Sequence, residues 1–349
     1  MPQISTAPRI LIVRLSAIGD VVHGLPVLNA LRAHFPGAFL GWVVEGRAAD
    51  LLRGHPALDR LIQVPRKWLK SPSAVWRLRR ELRELKFDVA LDLQCLTKSA
   101  IAAWLSGAKR RIGFGGADGR ELSRFLHNEH VTPTAAHVIE KNLELLRPLG
   151  IDRPRVEFNL PETPANAATA ARMIQAAGLS GGFAIVNPGA GWPSKRWPLD
   201  RYAAVARHLG ERHALPSLVV WAGPEERGWA DQIVAASSGT ALLAPATSLM
   251  ELAALARRAR MFIGSDTGPL HIAAAVGTPC VGLFGPMPRE RNGPYGTNHI
   301  ALQQVWLTGS SRERRTADAS SMEAISMDSV CAACDQIICR ATQAERRIA

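Results

Sequence analysis

The sequence predicts an α/β protein made of two Rossmann-like, doubly wound domains. Three observations carry that prediction. Short runs of β-branched and aliphatic residues alternate with segments of helical spacing, the pattern of parallel βαβ units. The alternation breaks once, over 151–164 (IDRPRVEFNLPETP), where three prolines interrupt it and periodicity fades. It then starts again in the second half.

In chain order, Arg9–Arg14 (RILIVR) predicts the first strand, and His23–Phe35 a helix with Leu25, Leu28 and Leu31 at helical spacing. Phe39–Val44 and Leu61–Val64 predict two further strands. Ser73–Leu85 repeats Val75, Trp76, Leu78, Leu82 and Leu85 on one helix. Asp88–Leu93 is a strand, Thr97–Leu105 a helix and Arg110–Phe114 a strand ending in glycines.

Beyond the break, Ala165–Ala177 is an alanine-rich helix, and Phe183–Asn187 a strand stopped by Pro188-Gly189. Asp200–Gly210 is a helix, Ser217–Ala222 a strand, and Arg227–Ser237 and Leu249–Ala259 are helices. Met261–Gly264 is a strand, Pro269–Val276 a helix and Cys280–Phe284 a strand. Ser310–Ser321 is polar and expected to be a mobile loop. Met327–Arg340 is helical, with Val330, Cys331, Cys334, Ile337 and Ile338 on one face. The expected domains are 1–158 and 159–349, with the last helix, about 327–342, packing back on the first domain. Two such domains imply a central cleft, with ligands at the carboxyl ends of the strands.

A length of 349 residues holds two cores of ordinary size. Hydrophobic residues at 47% and charged residues at 21% fit a soluble globular protein. No apolar run reaches the roughly 18 residues that a membrane helix needs. The opening MPQISTAPRI lacks a basic start followed by an apolar stretch, so no secretory signal is expected. Five cysteines, an odd number, point to a reducing cytoplasm rather than a disulfide scaffold.

The net charge is +12, and residues 53–111 alone hold fourteen basic and five acidic side chains. Such a face suits a polyanion: nucleic acid, an anionic membrane surface or an acidic substrate. Aromatic residues at 6% and no nucleic-acid-binding motif argue against the first.

Three turns after predicted strands carry chemistry. The turn Arg14–Asp20 has one glycine where a dinucleotide fingerprint needs three, which argues against a nicotinamide cofactor. Its Asp20 fits a helix cap and a general base equally well. The turn Pro188–Pro198 offers Gly189, Gly191, Lys195 and Arg196, backbone N–H groups and cations suited to phosphate oxygens. The turn Gly264–His271 places Thr267 and Gly268 at a helix start, where amides and a hydroxyl can meet phosphate. There Asp266 can accept from sugar hydroxyls, and His271 sits in the first helical turn.

Residues Ser265–Ala275, with Gly277-Thr278-Pro279 and Leu283-Phe284-Gly285-Pro286, resemble glycosyltransferase family 9, the family of lipopolysaccharide heptosyltransferases. So do Ser16–Pro26 (Ser-x-x-Gly-Asp-Val-Val-His-x-Leu-Pro), Trp42-Val-Val-Glu45, Asp92-Leu-Gln94 with Lys98-Ser99, Arg111–Phe114 and Lys195-x-Trp197-Pro198. The likeness runs from about residue 9 to 300. Its Asp20 turn and Trp-Val-Val-Glu strand are nearer heptosyltransferase I than II.

The resemblance implies a GT-B fold, with the acceptor in the first domain and ADP-L-glycero-D-manno-heptose in the second. It implies an inverting, metal-independent transfer to a Kdo sugar of the lipid A inner core, with Asp20 as general base. Transfer to a heptosylated core, or of another nucleotide sugar to a different envelope glycan, is the alternative. Gly189, Lys195, Asp266, Thr267, Gly268 and His271 match donor positions, and Glu226 or Glu225 the adenosine ribose. Ser16, Gly19, His23, Arg66, Lys67, Lys70, Gln94, Lys98 and Arg120 are assigned to the acceptor side. No cofactor, metal or nucleic acid is expected. The expected partners are the nucleotide sugar, a phosphorylated Kdo–lipid A-type acceptor and the anionic cytoplasmic face of the inner membrane, on which a cytoplasmic protein sits peripherally.

Two departures from the family pattern stand out. Cys95 follows Asp-Leu-Gln where glycine is common, and the Gly189-Ala190-Gly191 loop lacks the paired threonines of some members. Arg77–Glu81 and Arg80–Glu84 are expected as ordinary helix-surface pairs. Cys331, Cys334 and Cys339 are too few for a four-ligand zinc site and read as core-facing.

Overall fold

The structure, a computed structural model, describes residues 7–119 and 121–348. The chain forms two compact units that divide between Pro161 and Glu162. In the first, strands β1 (Arg9–Val13), β2 (Phe39–Glu45), β3 (Arg60–Val64), β4 (Val89–Asp92), β5 (Arg110–Phe114) and β6 (Glu129–Val131) form one sheet. All neighbours run parallel, in the order β3-β2-β1-β4-β5-β6. Parallel sheets are covered on both faces, so their central strands are apolar without alternation. Ile10, Leu11, Ile12 and Val13 are accordingly all fully buried. One face packs Leu11, Val13 and Val43 against Leu78 and Leu82 of the Pro72–Glu84 helix.

The second unit repeats the plan. Strands β7 (Ala184–Asn187), β8 (Ser217–Val219), β9 (Ala241–Leu243), β10 (Met261–Ser265), β11 (Cys280–Leu283) and β12 (Ile300–Leu302) are again all parallel. Their order is β9-β8-β7-β10-β11-β12. Numbered within its own unit, each sheet therefore runs 3-2-1-4-5-6, the dinucleotide-fold order. That order reverses direction between β1 and β4 in one unit and between β7 and β10 in the other. Ligands of such sheets bind beyond the strand ends at that reversal.

Two expectations are refined. The polar 310–321 stretch contains two short helices, Ser311–Thr316 and Ser320–Glu323. The first is held by a capping box: Ser310 Oγ accepts from Glu313 N–H at 3.2 Å, while Glu313 accepts from Ser310 N–H at 2.6 Å. The predicted His23–Phe35 helix spans Leu25–His34, with Pro26 in its first turn, and a separate short helix, Ile18–Val22, precedes it. The last helix, Met327–Ile348, packs on the core of its own unit. Its Val330, Cys331, Ala333, Cys334 and Ile337 join Trp197, Tyr202, Val205 and Leu209 in one buried cluster, because its apolar stripe matches the Leu199–His213 helix. Cys339, one turn further on, is exposed. Among the described residues, no helix is long and apolar enough to cross a membrane.

Candidate active site

In the first unit the reversal point collects the loops after β1, β2 and β4. Asp20 lies in the first turn of the Ile18–Val22 helix, and its Oδ2 accepts from the Ala17 N–H at 2.9 Å. Its Oδ1 pairs with Arg14, a buried guanidinium that also donates to the Leu93 carbonyl. Two donors thus fix the carboxylate, which nevertheless stays 36% exposed. It caps the helix and still presents an oxygen to solvent.

The β4 loop is organised by buried Asp92. Its Oδ1 accepts from the N–H groups of Gln94 and Cys95 at 2.9 and 3.0 Å, and its Oδ2 from Ser99 Oγ at 2.8 Å. His127 Nε2 meets Oδ2 at 3.1 Å. Gln94 then accepts from the Leu15 N–H at 2.9 Å, joining this loop to the Asp20 turn. Lys98 pairs with Glu45, a carboxylate buried at the end of β2.

Gly19 is buried and Ser16 half-buried near this cluster. His23 is a core position, with its ring edge-on to His137 at 6.2 Å. Arg66, Lys67 and Lys70 are exposed on a loop pinned by buried Trp68, and have no ion pair among the described residues. Arg120 lies outside the described residues. On the Pro72–Glu84 helix, Glu81 pairs with Arg60 of β3 at 2.6 Å, displacing the expected Arg77 pair, while Arg80–Glu84 stands at 3.8 Å.

The second unit places the loops after β7 and β10 side by side. Lys195 Nζ donates to Asp266 Oδ2 at 2.6 Å and to the Asp266 carbonyl at 2.9 Å. The ammonium also lies over the Trp192 ring, 4.6 Å from its centre. His271 Nε2 meets Asp266 Oδ1 at 3.0 Å. Burial opposes the charge on Asp266, but the Lys195 ammonium and His271 hold its carboxyl well below the usual carboxylate range. Thr267 Oγ1 donates to the Ser265 carbonyl at 3.2 Å and lies 3.4 Å from Asn187 Nδ2, across from β7. No side chain caps the Gly268–Ala275 helix, whose first amides suit an anion.

The two glutamates separate. Glu226 Oε2 accepts from the Ala222 N–H at 2.8 Å, and burial pushes its carboxyl up. A Cβ at position 189 would sit 2.4 Å from that oxygen, so a larger residue there displaces the Glu226 carboxylate. Glu225 points outward, 67% exposed, and pairs with Arg196 at 3.2 Å.

The model of glycosyltransferase family 9 (heptosyltransferase) matches residues 75–321. The chain belongs to glycosyltransferase family 9. This family 9 chain is 30% identical to lipopolysaccharide heptosyltransferase 1 of Pseudomonas aeruginosa over 306 residues, covering 84% of this chain and 83% of the relative. It superimposes on the crystal structure of a glycosyltransferase family 9 protein from Veillonella parvula with a TM-score of 0.84 at 22% identity, covering 97% and 99% of the two chains. The E. coli heptosyltransferase WaaC solved with ADP gives 0.76 at 22% identity, covering 94% and 99%. The fold class is GT-B, each unit a Rossmann-like layer of sheet between helices.

The two departures from the family pattern acquire physical content. Cys95 adopts φ +50°, the left-handed region that glycine enters freely, which accounts for the family's preference. This family 9 chain offsets the strain by using the thiol: Sγ accepts from the Phe114 N–H at 3.0 Å and donates to the Asp92 carbonyl at 3.0 Å. In the threonine-poor loop, Ser194 is fully buried and its hydroxyl has no hydrogen-bond partner among the described residues. Trp197 of the Lys-x-Trp-Pro motif is core: it donates to the Ile325 carbonyl at 3.0 Å and packs edge-on to Tyr202 at 4.8 Å. Sequence reasoning missed His127, Asn187 and Ser194. A polar residue closing an apolar strand could have flagged Asn187; nothing local marks the other two.

Proposed function

We propose that this family 9 protein is an inverting heptosyltransferase of lipopolysaccharide core biosynthesis, moving heptose from ADP-L-glycero-D-manno-heptose to a Kdo sugar of the lipid A inner core. The observation that carries this reading is Asp20, an exposed carboxylate held by Arg14 and the Ala17 N–H at the reversal point of the first sheet. The family 9 relatives supply the sugar and acceptor class: one is a lipopolysaccharide heptosyltransferase 1, and another was solved with ADP.

In the proposed step the acceptor hydroxyl oxygen attacks the anomeric carbon of the donor from the face opposite the diphosphate. Its proton passes to Asp20, and the bond from the anomeric carbon to the diphosphate oxygen breaks with its electron pair leaving on ADP. The proton moves late, when bonding to carbon has made the hydroxyl acidic. Charge on the departing diphosphate falls to the amides at Thr267 and Gly268 and to Lys195. The ammonium has three N–H donors, of which Asp266 takes two, leaving one for a phosphate oxygen. Asp266 faces like charge if set against phosphate, so its role is to orient Lys195 and to accept from sugar hydroxyls. Glu226 is assigned to the adenosine ribose. Arg66, Lys67 and Lys70 are assigned to the phosphates of the acceptor and to the anionic cytoplasmic leaflet on which a peripheral enzyme works. No step uses a metal ion or a cofactor.

A screen of nucleotide sugars for ADP, GDP or UDP release, with Kdo–lipid A and with a heptosylated core as acceptors, tests this. The expected result is ADP release from ADP-heptose with the Kdo acceptor. Turnover on the heptosylated core alone moves the protein to the later transfer, and release of UDP or GDP moves it to another glycan.

A further inference from the structure

Away from both reversal-point loops, the second unit gathers two imidazoles on a single carboxylate oxygen. His208 and His213 lie on the Leu199–His213 helix and Asp335 on the Met327–Ile348 helix. Both Nε2 atoms stand 2.7 Å from Asp335 Oδ1, with the two rings 5.8 Å apart and inclined at 67°. All three side chains are between a fifth and a third exposed, and Arg212 Nε lies 3.7 Å from the other oxygen, Oδ2. An open groove of about 460 Å³ runs alongside, lined by Arg207, Glu211, Asp328 and Cys331 as well as His208 and Asp335.

Convergence of these rings is not automatic. Residues five apart on a helix point about 140° away from each other, given roughly 100° per residue. They meet here because both rings reach across to the same oxygen of Asp335 on the neighbouring helix. Without an ion, both Nε2–H groups can donate to the lone pairs of Asp335 Oδ1. The same three groups can instead each give a lone pair to one divalent ion. The three ligand atoms all lie within 4.8 Å of one another, so small side-chain rotations bring each to about 2 Å from a shared ion.

We propose that His208, His213 and Asp335 bind a divalent first-row transition cation of the zinc type, which clasps the last helix to the sheet-bearing core of the second unit. Two imidazoles and one carboxylate favour zinc, nickel or copper over calcium or magnesium, which prefer all-oxygen shells. A tetrahedral ion keeps one position for water from the groove. The site shares no residue with the transfer step and stands whether or not that step is as described.

The test uses the whole protein with Cys339→Ser, which removes the exposed thiol, stripped by chelator and then dialysed. Zinc is titrated in competition with a chromophoric chelator, cobalt is followed by visible absorption, and melting is recorded with and without zinc. The expected result is one equivalent of zinc bound at low micromolar concentration or tighter, cobalt bands without thiolate charge transfer, and a raised melting temperature. His208→Gln and His213→Gln should each weaken binding at least tenfold and abolish the thermal shift. If the stripped protein takes up no stoichiometric zinc, or if the double variant binds as tightly as the parent, the trio is a metal-free hydrogen-bonded clasp and the proposal falls. The stripped parent decides the matter even if a variant fails to fold.

Discussion

Replacing Asp20 by asparagine separates the two uses of its carboxylate. An amide oxygen can still accept from the Ala17 N–H and keep most of a cap worth about 1 kcal/mol. The Arg14 ion pair and the basic oxygen are lost. Turnover of Asp20→Asn should fall at least about a hundredfold with ADP affinity nearly unchanged, read by single-turnover kinetics and titration. A fall below tenfold reduces Asp20 to a cap. The Lys195–Asp266 pair behaves differently because both partners are buried. Breaking such a pair costs about 3–5 kcal/mol, so Lys195→Ala should lower stability and weaken ADP together. The pH dependence follows from the direction of the Asp266 shift. Its folded carboxyl lies below the unfolded value, so its stabilisation is complete above about pH 4 and is lost only as pH falls toward the folded value. Paired melts of wild type and Asp266→Asn should show a constant gap over about pH 5–8 that narrows below about pH 4. At this scale the sequence exposed Lys195 and Asp266, the charged pair proposed for the donor, because each sits in the loop after a strand. It hid His127, whose partner Asp92 is 35 residues away, and His208, which meets Asp335 across 127 residues.

The loop bearing Arg66, Lys67 and Lys70 is an element with one buried foot, Trp68, and exposed charges around it. Reversing the three charges to glutamate should raise the acceptor KM and weaken binding to anionic vesicles while leaving ADP affinity alone. Equal loss of ADP affinity would place the loop elsewhere or reveal a folding defect. Behind it, the Pro72–Glu84 helix is tied to the sheet by Leu78 and Leu82 and started by Ser71, whose Oγ accepts from the Ala74 N–H at 3.3 Å. Leu82→Ala should cost about 2–5 kcal/mol in the first unit, measured by denaturant unfolding. Elements were legible where burial is two-sided or periodic, as in β1, β2 and this helix. Of the three-residue strands, β8 was legible from its buried apolar run, whereas β6, β9 and β12 were not, since they are only partly buried and their pairing comes from the neighbouring strand. The helices within 310–323 were hidden for another reason: local caps rather than an apolar stripe define them.

For the whole molecule, one strand order used twice means two cores that can melt separately. Calorimetry should resolve two transitions, of which Leu82→Ala lowers one and ADP raises the other, by mass action on the unit that binds it. If ADP raises both equally, the units unfold together. The placement of the cysteines has a practical consequence of a different kind. Four of the five thiols are buried, and only Cys339 is exposed, one turn past Asp335 on the last helix. A maleimide dye added to the native protein should therefore couple at a single known position without prior removal of the other thiols. The natural chain comes with its own fluorescent handle, mounted on the helix whose attachment most needs watching.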